Sequence, residues 1–172
     1  QVTMPADERN VVSFGRFYVG SRPGAVAEVA DRAGAGDGTM SEVVTIENHG
    51  SVLSGHPVVH EWVIPPPLAR NWAGVDTRQS VILQVKGDSM VPTLKPNDRV
   101  LVDRTDTIPS DEAVYVIDEG HGPKVKRVRI IAGSRPLMLS IKSDNPNASS
   151  WKSPVDSVTI IGRVRMVITT QI

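Results

Sequence analysis

From Ser41 onward the chain is cut every few residues by groups that end regular structure. They are Pro65-Pro66-Pro67, Pro96-Asn97-Asp98, Glu119-Gly120-His121-Gly122-Pro123, Gly133-Ser134 and Asp144-Asn145-Pro146. Between them lie short runs of strand composition: Val43 to Ile46, Val58 to Ile64, Val81 to Val85, Val100 to Val102, Ala113 to Ile117, Val125 to Ile131, Leu137 to Ile141 and Val158 to Ile168. No long pattern of 3.6-residue period competes with them. The expectation is a mostly β fold of short strands and closely spaced turns over residues 50–172.

The first 49 residues have another texture and are expected to form a linker or N-terminal arm, partly flexible and irregular. Val11-Val12 and Phe17-Tyr18-Val19 have the composition of short strands, but Gly15, Gly20, Pro23 and Gly24 interrupt them. Ala25 to Ala33 carries helical propensity and runs into the cluster Gly34-Ala35-Gly36-Asp37-Gly38, which stops it. The chain begins at Gln1 with no methionine, which sets the expectation that a further N-terminal part exists.

Bulk properties narrow the function classes. The 172 residues hold 19 basic and 19 acidic side chains, so the net charge is zero. Without a basic excess the chain has no electrostatic footprint for nucleic acid. It has no cysteine, which removes disulfides, thiolate metal sites and a cysteine nucleophile. No apolar run is long enough to cross a bilayer and no signal peptide is visible, so neither membrane contact nor export is expected.

The chemistry concentrates at Gly87-Asp88-Ser89-Met90-Val91-Pro92-Thr93-Leu94. The alternating run before it ends there, because Pro92 cannot continue a strand. Ser89 is thus expected at a strand end, where its hydroxyl is accessible and backbone N–H groups, those of Asp88 and Ser89, are free to face an oxyanion. A second signal lies in Lys124-Val125-Lys126-Arg127-Val128-Arg129-Ile130-Ile131. On a strand, Lys124, Lys126, Val128 and Ile130 share one face. If that face meets the core, Lys126 is desolvated, its ammonium is disfavoured, and the neutral amine can act as a general base. The bland alternative is a solvated basic edge. A serine with a desolvated lysine is a known substitute for the serine–histidine triad; a triad through His121 is the other arrangement these residues allow.

At these residues the chain resembles the LexA and phage-repressor family of self-cleaving serine peptidases, which includes the UmuD-like proteins. The matching residues are Val85 to Leu94, Asn97 to Asp103, Val125-Lys126-Arg127-Val128, Ser143-Asp144-Asn145-Pro146 and Ile160-Ile161-Gly162-Arg163-Val164. The resemblance implies a LexA/signal-peptidase-like β fold of short, strongly bent strands. It further implies Ser89 as nucleophile and Lys126, not Lys124, as base, with no cofactor. By the same resemblance the chain forms a homodimer in the cytoplasm and answers a RecA-type activator filament. Operator DNA is then reached only through a helix-turn-helix domain upstream, and cleavage relieves repression in the SOS response to DNA damage.

Members of that family cut their own chain upstream of the serine, usually at Ala-Gly or Cys-Gly. The segment Gly50 to Val59 resembles the cleavage segment, and the matching bond is Ser54-Gly55, 35 residues before Ser89. Ser54 departs from the usual alanine or cysteine, and its hydroxyl must find a partner or be desolvated in the pocket. Ala33-Gly34 and Ala35-Gly36 rank next; Ala73-Gly74 lies only 16 residues before the nucleophile.

Other constellations carry less. His56 and His60 would share a strand face about 13 Å apart, too far for one ion, so no metal is expected. Trp62, Trp72 and Trp151 are read as core or interface anchors. Two alternatives to a self-cleaving repressor domain stay open. One is a non-enzymatic dimerisation or partner-binding module on the same fold. The other is a signal-peptidase-like enzyme, which would need a membrane anchor.

Overall fold

A computed structural model describes residues 11–12, 21–30, 45–48, 51–54 and 56–169, with side chains placed over 21–30 and 58–169. The chain forms two compact units, 1–83 and 84–172.

In the first unit β5 (His56–Val63) pairs antiparallel with β1 (Val11–Val12) and with β2 (Ala25–Val29). β2 also runs parallel to β6 (Ser80–Gln84), with Ala27 opposite Val81 and Val29 opposite Leu83. β3 (Thr45–Asn48) and β4 (Ser51–Ser54) form a separate antiparallel hairpin. A helical turn over residues 66–73 and a 3-10 turn, Thr77–Gln79, lead into β6.

The helical expectation over Ala25 to Ala33 is corrected at Ala25–Val29, where the chain is a strand and every residue is buried. Alanine's propensity is worth only tenths of a kcal/mol per residue, and burial between two partner strands overrides it. Gly24 sets the entry to β2. Its φ is +85°, Ile64 N–H donates to its carbonyl at 2.9 Å, and an added Cβ would fall on the Ile64 carbonyl.

In the second unit the strands are all antiparallel, in the order β7 (Arg99–Asp103), β12 (Thr159–Ile168), β8 (Ala113–Asp118), β9 (Lys124–Ile131), β10 (Met138–Lys142) and β11 (Trp151–Pro154). Both neighbours of β12 show a break in register, one between Ile160 and Gly162 and one between Val164 and Met166. Such bulges bend a strand and raise its twist. The core is Tyr115, Ile117, Val128, Leu139, Ile141 and Val158, with Ile130, Trp151 and Ile160 packed against it. Trp151 therefore serves as a core anchor, whereas Trp72 is 79% exposed on the helical turn of the first unit.

The mostly β reading holds, and each expected run from Val43 onward contains a strand. Two short strands were not foreseen: β4 and β11, whose Ser-Val-Leu-Ser and Trp-Lys-Ser-Pro are too brief and too polar to signal alternation. Phe17 to Val19 and the glycine cluster from Gly34 to Gly38 lie outside the described residues.

Gly162 marks the tightest approach in the second unit, where an added Cβ would fall on the Asp103 carbonyl and within 2.9 Å of Val102. Gly162→Ala should therefore destabilise the fold by about 1–3 kcal/mol. Urea unfolding measures this, and an unchanged midpoint would contradict the packing described.

Candidate active site

Beyond β6 the chain makes a loop whose neck is pinched by two backbone bonds. Val85 N–H donates to the Asp98 carbonyl at 2.7 Å, and Asn97 N–H donates to the Val85 carbonyl at 2.9 Å. Gly87 (φ +72°) and Asn97 (φ +73°) take the left-handed conformations that the pinch requires, one with no Cβ and one with the side chain that best tolerates it. Buried Asp98 accepts the Lys95 N–H at 2.8 Å. Inside the loop Leu94 N–H donates to the Met90 carbonyl at 2.8 Å, and both side chains are buried to 2% exposure or less. Ser89 is held between exposed Asp88 and buried Met90 and is itself half-buried.

The second element is β9, on which Lys126 and Val128 are buried and Arg129 is exposed, as alternation requires. Lys126 is opposite Tyr115 on β8 and only 7% exposed. Its Nζ donates to Ser89 Oγ at 2.6 Å. Thus the two residues singled out in the sequence, 37 positions apart, meet side chain to side chain. Burial pushes the Lys126 pKa below the ordinary lysine value and the charge of Lys124 adds to this, while Asp144 opposes it.

Lys124 sits near the strand's start, 3.7 Å from Glu119 and 5.8 Å from the Trp151 ring centroid. His121 is exposed in the β8–β9 turn, where one carboxylate oxygen of Asp118 accepts the N–H groups of Gly120, His121 and Gly122. The Ser89 hydroxyl is thus joined to Lys126 and not to His121.

In the sequence Asp144 and Asn145 stand out only as a turn and as part of a motif that resembles the family's. The structure brings both to the serine. The β9–β10 ladder stops at Lys142 opposite Arg127, so the chain turns away beside Lys126 and places Asp144 against Arg127. Arg127 grips Asp144 with two bonds, 2.8 and 2.6 Å, and Thr93 Oγ1 donates to the same carboxylate at 2.5 Å. The Arg127 bond holds the Asp144 carboxyl below the usual range, and burial opposes it. Asn145 reaches the serine turn itself: its Nδ2 donates to the Asp88 carbonyl at 3.1 Å and its N–H to the Ser89 carbonyl at 3.0 Å. Val91 N–H shares the Asp88 carbonyl at 3.0 Å. Among the described residues no protein acceptor takes the N–H of Asp88 or Ser89, the two expected oxyanion donors.

The other candidates stand apart from this geometry. Ser54 is the last residue of β4, in the first unit, paired with Thr45; Gly55 lies outside the described residues. Ala33, Gly34, Ala35 and Gly36 lie outside them as well. Ala73 is buried and Gly74 closes the helical turn with φ +67°, so that bond is held inside folded structure. Among the described residues there is no group of three or more metal-ligating side chains, and no helix is long and apolar enough to cross a membrane.

Two titrations follow. Removing the negative charge with Asp144→Asn should lower the Lys126 pKa further, and removing the like charge with Lys124→Met should raise it. An NMR titration of the Lys126 side chain reads both, and shifts in the reverse directions would contradict this arrangement of charges. Stability follows the same sign. Where the folded pKa is lowered, the unfolded chain binds the proton more tightly, so the buried ammonium's cost is full below the folded pKa and fades as pH rises to the ordinary lysine value. Lys126→Met should raise the melting temperature at neutral pH, and its advantage should shrink in alkaline solution. A pH-independent advantage would argue against the desolvated amine.

An HTH-type transcriptional regulator of Haemophilus influenzae is 28% identical over 91 residues, which are 53% of this chain and 38% of that protein. The chain thus spans well under half the length of this relative. The profile of the Peptidase S24-like family matches residues 43–165, which include the serine loop, the lysine strand and the loop that joins them. A match over that much of the chain makes this protein a member of the Peptidase S24-like family.

Proposed function

We propose that the chain is the C-terminal self-cleavage and dimerisation domain of a LexA/phage-type transcriptional repressor, a serine endopeptidase acting on its own chain through a Ser89–Lys126 dyad. The observation that carries this reading is the 2.6 Å contact between Ser89 Oγ and the amine of a buried lysine. In the charged form Lys126 donates to Ser89; once neutral, the same contact lets it accept the serine proton. Ser89 Oγ then bonds to the carbonyl carbon of the scissile peptide as its proton passes to Lys126. The carbonyl oxygen gathers negative charge facing the N–H groups of Ser89 and Asp88. The C–N bond breaks, Lys126 returns the proton to the departing amine, and a water activated by Lys126 hydrolyses the acyl-serine.

Similarity to the HTH-type transcriptional regulator of Haemophilus influenzae supports the repressor part of the reading, in which an upstream helix-turn-helix domain contacts operator DNA. The remaining parts are a homodimer, a cytoplasmic setting, activation by a RecA-type filament and release of repression in an SOS response. The scissile bond in this reading is Ser54-Gly55. A bond in the same chain has a high effective concentration, so only its docking restrains the reaction. An activator accelerates cleavage by its differential affinity for the docked state.

Incubation at rising pH followed by mass spectrometry tests the proposal. Cleavage should accelerate as Lys126 loses its proton and leave a fragment beginning at Gly55. Ser89→Ala and Lys126→Ala should each slow it by about 10³-fold or more, and together no further, because the two act as one unit. Ser54→Ala should quicken the cut and Gly55→Glu block it. A fragment beginning at Gly34 or Gly36 would move the bond while keeping the dyad. No cut at any pH, with Ser54→Ala equally inert, would favour the non-cleaving module.

A further inference from the structure

The loop between β10 and β11 is built to hold one residue still. Ser143 N–H donates to Ser150 Oγ at 3.1 Å and Ser143 Oγ donates to the Ser149 carbonyl at 2.7 Å, closing the loop across its base. Within it Ala148 N–H donates to the Asn145 carbonyl at 3.0 Å, and Asn147 N–H donates to Asn145 Oδ1 at 2.9 Å. That last bond fixes which way the side-chain amide points: the oxygen is committed to Asn147, so Nδ2 faces outward to the Asp88 carbonyl. Its neighbour Asp144 binds the loop a second time, through Thr93.

One residue therefore grips two consecutive carbonyls of the serine turn, that of Asp88 with its side chain and that of Ser89 with its backbone. In a trans peptide the N–H points opposite to the C=O of the same plane. Holding the Asp88 carbonyl on Asn145 consequently turns the Ser89 N–H to the opposite side. We propose that Asn145 is a positioning residue that aims the Ser89 N–H at the oxygen on which negative charge develops. This rests on the reading of Ser89 as nucleophile. It gives the residue a part in the reaction without contact with the reacting atoms.

The magnitude is bounded by two considerations. Loss of an oxyanion donor costs about 10²–10³ in rate. Val91 N–H also holds the Asp88 carbonyl, so removing Asn145 loosens the peptide instead of releasing it. The expected loss is about ten- to a hundredfold. Asn145 is neutral, so the protonation of Lys126, set by its burial with Lys124 and Asp144 around it, should not follow.

Diisopropyl fluorophosphate on the full chain provides the test, because it needs no docking of the chain's own cleavage segment. Ser89 Oγ bonds to phosphorus, fluoride leaves, the serine proton passes to Lys126, and the phosphoryl oxygen takes the oxyanion's place. Mass spectrometry follows the rate against pH, with Ser89→Ala identifying the modified residue. Asn145→Ala should be modified about ten- to a hundredfold more slowly on the alkaline plateau, with the midpoint of the profile unmoved. A plateau equal to that of the unmodified sequence overturns the proposal. So does a slower reaction whose midpoint moves, which would place the effect on Lys126. Should Asn145→Ala fail to fold by circular dichroism, Asn145→Asp carries the test through its plateau rate alone, since it keeps the shape and lacks the donor. A chain modified at Ser89 that never cuts itself would remove the self-cleavage reading and leave this one standing on the rates. A chain not modified at Ser89 would remove the nucleophile, and this proposal with it.

Discussion

A lysine held out of water beside a hydroxyl is the constraint from which the second unit is built. An amine at the 7% exposure of Lys126 loses most of the hydration that stabilises its charge, and its neighbours decide which protonation state prevails. A carboxylate close by would restore the charge, and Asp144 is such a group. Arg127 answers it. It follows Lys126 on the strand, points to the other face, and binds Asp144 with both nitrogens of its fork. The carboxylate is thereby committed to joining two segments, with its charge largely matched by the guanidinium. Basic residues adjacent on a strand thus serve opposite ends: one holds its charge less tightly than an ordinary lysine, and the other never loses it.

Ser89 comes on a loop, and loops are ordinarily the mobile part of a site. This one is restrained at three levels. Its neck is closed by backbone bonds between Val85 and the Asn97-Asp98 pair; its body is anchored by buried Met90 and Leu94; its tip is gripped by Asn145. The energy of any one bond is about 1 kcal/mol. Together they restrain the loop that carries Ser89, whose hydroxyl accepts from the Lys126 amine at 2.6 Å.

The sequence made much of this legible. Alternation and breakers gave the β class and nearly every strand of the second unit, because its strands have one apolar face and short, well-marked turns. Lys126 was legible as a buried amine for the same reason, sharing a face with Val128 and Ile130. What stayed hidden was long-range. Ala25–Val29 has no alternation to show, since both its faces are covered, and alanine content suggested a helix. Asp144 and Asn145 look like ordinary turn formers; only the end of the β9–β10 ladder at Lys142 reveals that their turn lies against the serine loop. The bond proposed for cleavage is the least legible, since Ser54 and Gly55 are small residues with no chemical signature of their own.

The arrangement of β9 makes strand register a chemical variable. Lys126 is opposite Tyr115, and Arg127 is opposite both Val114 and Lys142. A slip of one residue would send every side chain to the other face. It would then present the serine with Arg127 or Val125, a cation that does not deprotonate in water or a group with no proton to exchange. A misregistered sheet could be nearly as compact and still lack the contact between Lys126 and Ser89. The pairing of β8, β9 and β10 therefore works as an assembly check: the contact between the buried amine and the Ser89 hydroxyl exists only in chains that have found the right ladder.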